Sequence, residues 1–190
     1  CDFDSVAESN LSRQILFNPE DVGKSKVEVA IETLSRLNPE TKLNRLSKRM
    51  ADSDMQKLFP NCDFIIDASD NYGTRLAVNR TSLSLQIPWL MASCIRMEGQ
   101  LMLLRPDMPD QPCYRCAYGE APDRLEDCPG AGIFAPVAGI VGTSAAHFAL
   151  ASVAGITIPP GLHLFDATSW TWQSIKIKQN HGCKDCGEPR

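Results

Sequence analysis

Hydrophobic positions along the first half of the chain switch repeatedly between a helical and an extended period. Val27, Ala30, Ile31, Leu34 and Leu37 recur at three- and four-residue steps, which predicts a helix over 19–37. Asn38-Pro39 stops it, because a residue before proline is pushed out of the helical region. Residues 43–46 read as a short strand and 52–59 as a short helix. Cys62-Asp-Phe-Ile-Ile-Asp67 is a compact apolar run of the kind a buried parallel strand requires. Asp70 follows as a candidate N-cap for a helix through Leu85. Residues 88–94 and 100–104 are two further strands. This alternation predicts an α/β fold, a sheet with crossover helices.

The second half reads differently. Residues 106–129 are polar and proline-rich, hence a loop. From Cys128 to Phe165 there is no Asp, Glu, Lys or Arg, and the segment 131–150 is long enough to span a bilayer. It is rich in Gly and Ala, however, carries Pro136 and His147, and lacks flanking Lys/Arg anchors. A closely packed internal helix, or one shared with a second subunit, suits its small residues better than a membrane span. Pro159-Pro160-Gly161 breaks the chain, and residues 163–166 and 170–177 then read as a hairpin. Alternation of Ile175 and Ile177 with Lys176 and Lys178 implies one wet face.

With 190 residues, the default is a single domain over 1–190. A net charge of −4 with no long basic run argues against a nucleic-acid partner. Eight cysteines would suit a secreted protein, but no signal peptide is visible. Cys1, Cys62, Cys94 and Cys128 show no close mutual spacing, so a cytoplasmic, reducing setting is expected.

The other four cysteines form two Cys-x-x-Cys pairs, Cys113/Cys116 and Cys183/Cys186. Two residues between thiols let both sulfurs of a turn face one metal, with Zn–S bonds of about 2.3 Å. Glycines around the second pair permit the tight turn. Separate disulfides or a redox pair are the competing readings, but two matched pairs favour a four-cysteine zinc site. Such a site has no open coordination position, so its expected role is structural.

Elsewhere, Asp2 and Asp4 sit at a candidate strand end, where a nucleotide-binding fold places a ribose-binding carboxylate. Arg13, in Ser9-Asn-Leu-Ser-Arg-Gln14, and Lys26 can neutralise phosphates or serve as solvated surface charges. Asp70, in Asp67-Ala-Ser-Asp-Asn71, follows a buried strand at the edge where open α/β sheets bind ligands. Its oxygens can hold Mg²⁺ or cap the helix, and the two uses compete. Cys128 precedes the apolar helix, whose N-terminus lowers a thiol pKa, while Glu126 and Asp127 oppose that. It is a nucleophile or an inert loop cysteine.

Taken in order, these segments resemble the ubiquitin-activating-enzyme-like adenylyltransferases typified by MoeB, ThiF and HesA. The resemblance also rests on Val22-Gly-Lys-Ser-Lys26, Arg96-Met-Glu-Gly-Gln100, Cys128-Pro-Gly-Ala-Gly132 and the final Gly-Cys-x-x-Cys-Gly. It implies a Rossmann-like, mostly parallel sheet with a C-terminal antiparallel hairpin and a four-cysteine zinc site. It further implies ATP and Mg²⁺ as cofactors and a ubiquitin-like sulfur-carrier protein ending in Gly-Gly as partner. The carrier's terminal carboxylate would be adenylylated and pyrophosphate released, for molybdopterin or thiamin biosynthesis. By this resemblance Asp2 grips ribose, and Asn10, Arg13 and Lys26 handle phosphates. Asp70 binds Mg²⁺ with Asn71 beside it, and Cys128 aligns with a cysteine that some members use to take over the acyl group or sulfur. A homodimer is implied, with the apolar helix near the contact. The family's Gly-rich loop and first strand would lie before residue 1, so the chain is expected to be N-terminally incomplete.

Three other readings compete. A non-catalytic, zinc-stabilised scaffold could bind a ubiquitin-like partner without activating it, although Asp2, Arg13, Lys26 and Asp70 are all present. An NAD-type oxidoreductase has no need of the Asp70-Asn71 and Arg13-Gln14 motifs, and a zinc-ribbon nucleic-acid binder conflicts with the acidic balance.

Overall fold

The computed structural model describes residues 1–120 and 132–187, in two compact units, Cys1–Ala51 and Asp52–Arg190. In the first unit, an extended segment bridges Ser5 to Ser25, and 3₁₀ turns form at Glu8–Asn10 and Pro19–Asp21. Helix α1 covers Lys26–Leu37, beginning later than the sequence period suggests because Pro19 opens a 3₁₀ turn instead. Val27 and Val29 are its buried side chains, whereas Leu37 is 73% exposed. No strand forms over 43–46.

The second unit contains α2 (Asp52–Leu58), β1 (Ile65–Asp67), α3 (Tyr72–Leu85), β2 (Trp89–Ile95), β3 (Glu98–Leu104), α4 (Tyr114–Tyr118), α5 (Ala135–Val153), β4 (Gly161–Asp166) and β5 (Thr171–Ile175). The strands form one sheet in chain order, with β1–β2 parallel and β2–β3, β3–β4 and β4–β5 antiparallel. The α/β class and the C-terminal hairpin are as expected, and the sheet is mixed. Its one parallel pair among the described strands is the pair joined through helix α3, because a parallel return needs a crossover. Beyond β2 the chain turns back through Arg96 (φ 53) and Met97, and antiparallel pairing takes over.

Both faces of the sheet bury apolar side chains: Trp89, Met91, Met102 and Leu104 lie on one, and a core cluster with α5 covers the other. Leu90, Ala92, Leu101, Leu103 and Phe165 pack against Val137, Val141 and Ala145 of α5. Each large aliphatic or aromatic side chain so buried contributes about 1.5–3 kcal/mol. Helix α5 presents this one stripe inward, while Leu150 and Val153 on it are exposed. It is long and apolar enough to cross a membrane by length and composition, but that stripe anchors it to a protein sheet. Strand β5 lies at the sheet edge and is exposed along its whole length, so the expected alternation of dry and wet faces is absent there. With no described strand beyond β5 in the sheet, both of its faces meet solvent, including those of Trp172 and Ile175.

Gly99 explains how α5 approaches so closely, since a Cβ there would run into Val141 Cγ2. Gly99→Ala should therefore lower the unfolding free energy by about 1–3 kcal/mol through overpacking. Chemical denaturation checks this; a loss below about 0.5 kcal/mol, within the range of surface substitutions, would mean that the helix yields freely.

Candidate functional site

Within the first unit, backbone pairing sets the polar residues. Val6 N–H donates to Lys24 O and Lys26 N–H to Asp4 O, which lays the start of α1 along the extended segment. Lys26 Nζ then reaches Asp4 Oδ2 at 3.3 Å, with the lysine side chain only 12% exposed. Asp4 N–H in turn donates to Asp2 Oδ1 at 2.9 Å. Asp2 and Lys26 are thus gathered around Asp4. Asn10 and Arg13 share the next turn: Arg13 N–H donates to Asn10 O, and its guanidinium donates to Ser9 O at 3.0 Å. Asn10 Oδ1 accepts from Ala7 N–H at 3.3 Å. Two local groups result, Asp2, Asp4 and Lys26 in one and Asn10 and Arg13 in the other.

Within the second unit, the chain leaves β1 at Asp67 in a tight turn. Asp67 Oδ1 accepts from Ser69 N–H at 2.8 Å, while Asn71 Oδ1 accepts from Thr74 N–H at 2.8 Å and caps α3. The cap is Asn71, one residue later than the sequence suggested, since Asn and Asp compete on nearly equal terms for that position. Asp70 is thereby left exposed at the turn with its carboxylate unused by the helix. This removes the competition between capping and cation binding.

Behind the turn stands Arg75, a residue the sequence did not single out. Its guanidinium donates to Ser69 O at 2.6 Å and to Ser93 Oγ on β2 at 3.2 Å. Three buried polar atoms close by lack hydrogen-bond partners: Asp67 Oδ2, Ser69 Oγ and Arg75 Nε. Unpaired buried polar atoms are costly, and they are characteristic of sites that receive water or ligand. Next to them stand Tyr114 and Tyr118, ring centroids 4.6 Å apart. Tyr118 O–H donates to Gln100 at 3.0 Å, and burial pushes its pKa up to about 12, so it stays neutral.

The four cysteines converge. Cys113 Sγ lies 3.8 Å from Cys116 Sγ and 3.6 Å from Cys183 Sγ, and Cys116 Sγ lies 3.4 Å from Cys186 Sγ. All four sulfurs fall within 4.8 Å of one another. A disulfide needs about 2.05 Å, so neither pair is one. A tetrahedron with Zn–S bonds of about 2.3 Å has S···S edges of about 3.75 Å, which these separations fit. Burial pushes the Cys113 thiol up and the Cys186 thiol up to about 12, so a cation must displace protons to bind. The second turn closes because residue 187 is glycine; a Cβ there would sit on the carbonyl oxygens of Cys183 and His181. Cys128 lies outside the described residues.

The sequence signature of the ThiF family matches residues 1–185, and the chain belongs to that family. It is 37% identical to the sulfur carrier protein ThiS adenylyltransferase of Escherichia coli K12, over 98% of this chain and 74% of that protein. It is 32% identical to the molybdopterin-synthase adenylyltransferase of the same organism, over 98% of this chain and 76% of that one. In fold it is similar to E. coli MccB, in a crystal structure with ATP, with a TM-score of 0.83 at 22% identity. That superposition covers 98% of this chain and 58% of MccB.

Removing the Arg75 guanidinium would leave Ser69 O and Ser93 Oγ without the Nη2 donor they share. Arg75→Ala should cost about 1–3 kcal/mol in chemical denaturation, the penalty for an unpaired buried polar group. Arg75→Lys should recover less than half of that, because its ammonium ends about one bond short of the Nη2 position from which both bonds are made. Full recovery by lysine would show that charge alone matters.

Proposed function

We propose that the complete protein uses ATP to adenylylate the C-terminal Gly-Gly carboxylate of a small ubiquitin-like sulfur carrier, releasing pyrophosphate. The observation that carries this reading is Asp70, released from capping by Asn71 at the carboxyl end of β1, in a ThiF-family chain. The named relatives, one acting on ThiS and one on molybdopterin synthase, point to thiamin- or molybdopterin-type biosynthesis. Both units are read as one adenylylating domain spanning 1–190.

The chemistry needs little from a general base, because the attacking carboxylate is already ionised. A carrier oxygen attacks the α-phosphorus, the bond to the bridging oxygen breaks, and pyrophosphate leaves with the electron pair. The protein must hold two anions in line and neutralise charge growing on the leaving group. Arg13 and Lys26 suit that task, with Asn10 beside them as a phosphate donor. Asp2 suits the ribose hydroxyls. Asp70, with Asn71 adjacent, would hold Mg²⁺, which would supply positive charge against the phosphates. An acyl-adenylate then presents AMP as the leaving group to a thiol or persulfide, and Cys128 is the candidate thiol.

The four-cysteine site is read as zinc, held by Cys113, Cys116, Cys183 and Cys186, with a structural role because no position is open to substrate. Reduced thiols of this kind suit a cytoplasmic setting. The exposed face of α5, with Gly139, Gly142, Ala146 and Leu150, is read as the contact of a homodimer, since small residues let helices approach closely.

ATP–pyrophosphate exchange by the full-length protein, with candidate Gly-Gly carriers, tests the reading. Wild type should exchange with one carrier and sediment at twice the chain mass. Arg13→Ala, Lys26→Ala and Asp70→Asn should each lower the exchange rate about 10²–10³-fold, the usual loss for one electrostatic stabiliser. Absence of exchange with every carrier, in protein that still binds zinc, would favour a non-catalytic scaffold.

A further inference from the structure

Two turns 70 residues apart must meet with their sulfurs in register, and besides the ion pair between Arg115 and Asp185 a second link relates them. The link is a side chain from a third element. Asn79, in the middle of α3, has no exposed surface. Its Oδ1 accepts from the N–H of Tyr114, the residue after Cys113, at 2.8 Å. Its Nδ2 donates to Oδ2 of Asp185, the residue before Cys186, at 2.9 Å. One amide therefore reads both cysteine turns at once.

Asp185 extends the connection. Its side chain is 6% exposed, and Oδ1 lies 3.1 Å from Arg115 Nε in an ion pair. Arg115 immediately precedes Cys116, so Asp185 is fastened to the first cysteine turn both directly and through Asn79. Lys184 adds a second ion pair across the turns, to Glu120. That pair is solvent-exposed and contributes little, whereas the Asn79 bonds are buried and cannot be replaced by water.

The chemical identity of residue 79 matters, because an amide carries both a donor and an acceptor. A carboxylate there would still accept from Tyr114 but would face Asp185 with like charge. An alanine would strand a backbone N–H and a carboxylate oxygen, both buried. A generic core residue would fill the space without relating one turn to the other.

We propose that Asn79 is the positioning residue of the metal site, setting the register of the two Cys-x-x-Cys turns and hence the metal affinity. The inference rests on the four-cysteine metal reading above. Residues outside a metal's ligand shell that orient its ligands commonly account for about 10–100-fold in affinity.

The test is zinc affinity of the full-length protein, by competition with a chromophoric chelator at a temperature where circular dichroism shows each variant folded. Asn79→Ala should bind zinc at least about 10-fold more weakly than wild type. Val78→Ala, a buried truncation one position away, should melt earlier yet keep wild-type affinity. Asn79→Asp should also lose affinity, and adding Asp185→Asn should restore at least half of the logarithmic loss, because the exchanged pair again matches donor to acceptor. Should Asn79→Ala fail to fold, this double variant still decides the matter. Wild-type affinity in Asn79→Ala, equal loss in Val78→Ala, or no recovery in the double variant would each overturn the assignment. A wild-type protein that takes up no zinc would overturn the metal reading and this inference together, before the variants are compared.

Discussion

Four cysteine sulfurs within 4.8 Å of one another form a donor set that could hold a metal ion, and the two turns that carry them must stay in register. Burial opposes ionisation of Cys113 and Cys186, and thiol–thiol contacts are weak. The described residues after β5 depend on this constraint. Residues 176–187 form no strand or helix, and their attachment runs through Cys183, Cys186 and Asp185 to α3 and α4. The first cysteine turn is held equally indirectly, by Tyr114 resting 5.9 Å from Trp89 of β2 and by the Asn79 amide. The cysteine turns and buried polar bonds therefore fasten these segments onto the sheet face that carries Trp89.

Helix α3 connects this staple to the proposed chemistry. Its first turn, capped by Asn71, begins directly after Asp70; its middle, at Asn79, grips the cysteine turns. Tyr72, the first helical residue, donates to Gly119 O just beyond α4, and its ring lies 5.9 Å from that of Tyr114. The turn that bears Asp70 and the loop that bears Cys113 and Cys116 are consequently two ends of one hydrogen-bonded, aromatic-packed assembly.

Much of this was legible in the residues. The two Cys-x-x-Cys pairs announced a shared site because spacing and chemistry are local properties, and the apolar run before Asp67 marked the strand that ends at the candidate site. The position of the cap was not: Asp70 and Asn71 are adjacent and both able to cap, and only backbone geometry decides between them. Arg75 and Asn79 were invisible for a different reason. Their partners lie 18, 35 and 106 residues away, and a polar residue on a helix carries no mark of what will face it. The exposure of β5 follows from its place at the sheet edge, which no alternation of Ile and Lys encodes. Asp2, Arg13 and Lys26 were identified as an ordered set, and their local turns bring each within reach of its neighbours in the first unit.

The central claim is a division of labour, with the cysteines holding structure and the acidic and basic residues serving the nucleotide. Its most direct test compares melting temperature with ATP affinity in the full-length protein, before and after zinc is stripped by a chelator at low temperature. The account predicts a lower melting temperature with an ATP dissociation constant unchanged within about twofold, since a fully ligated zinc offers nothing to substrate. Loss of ATP binding with the melting temperature intact would contradict it, and would place the metal in the chemistry.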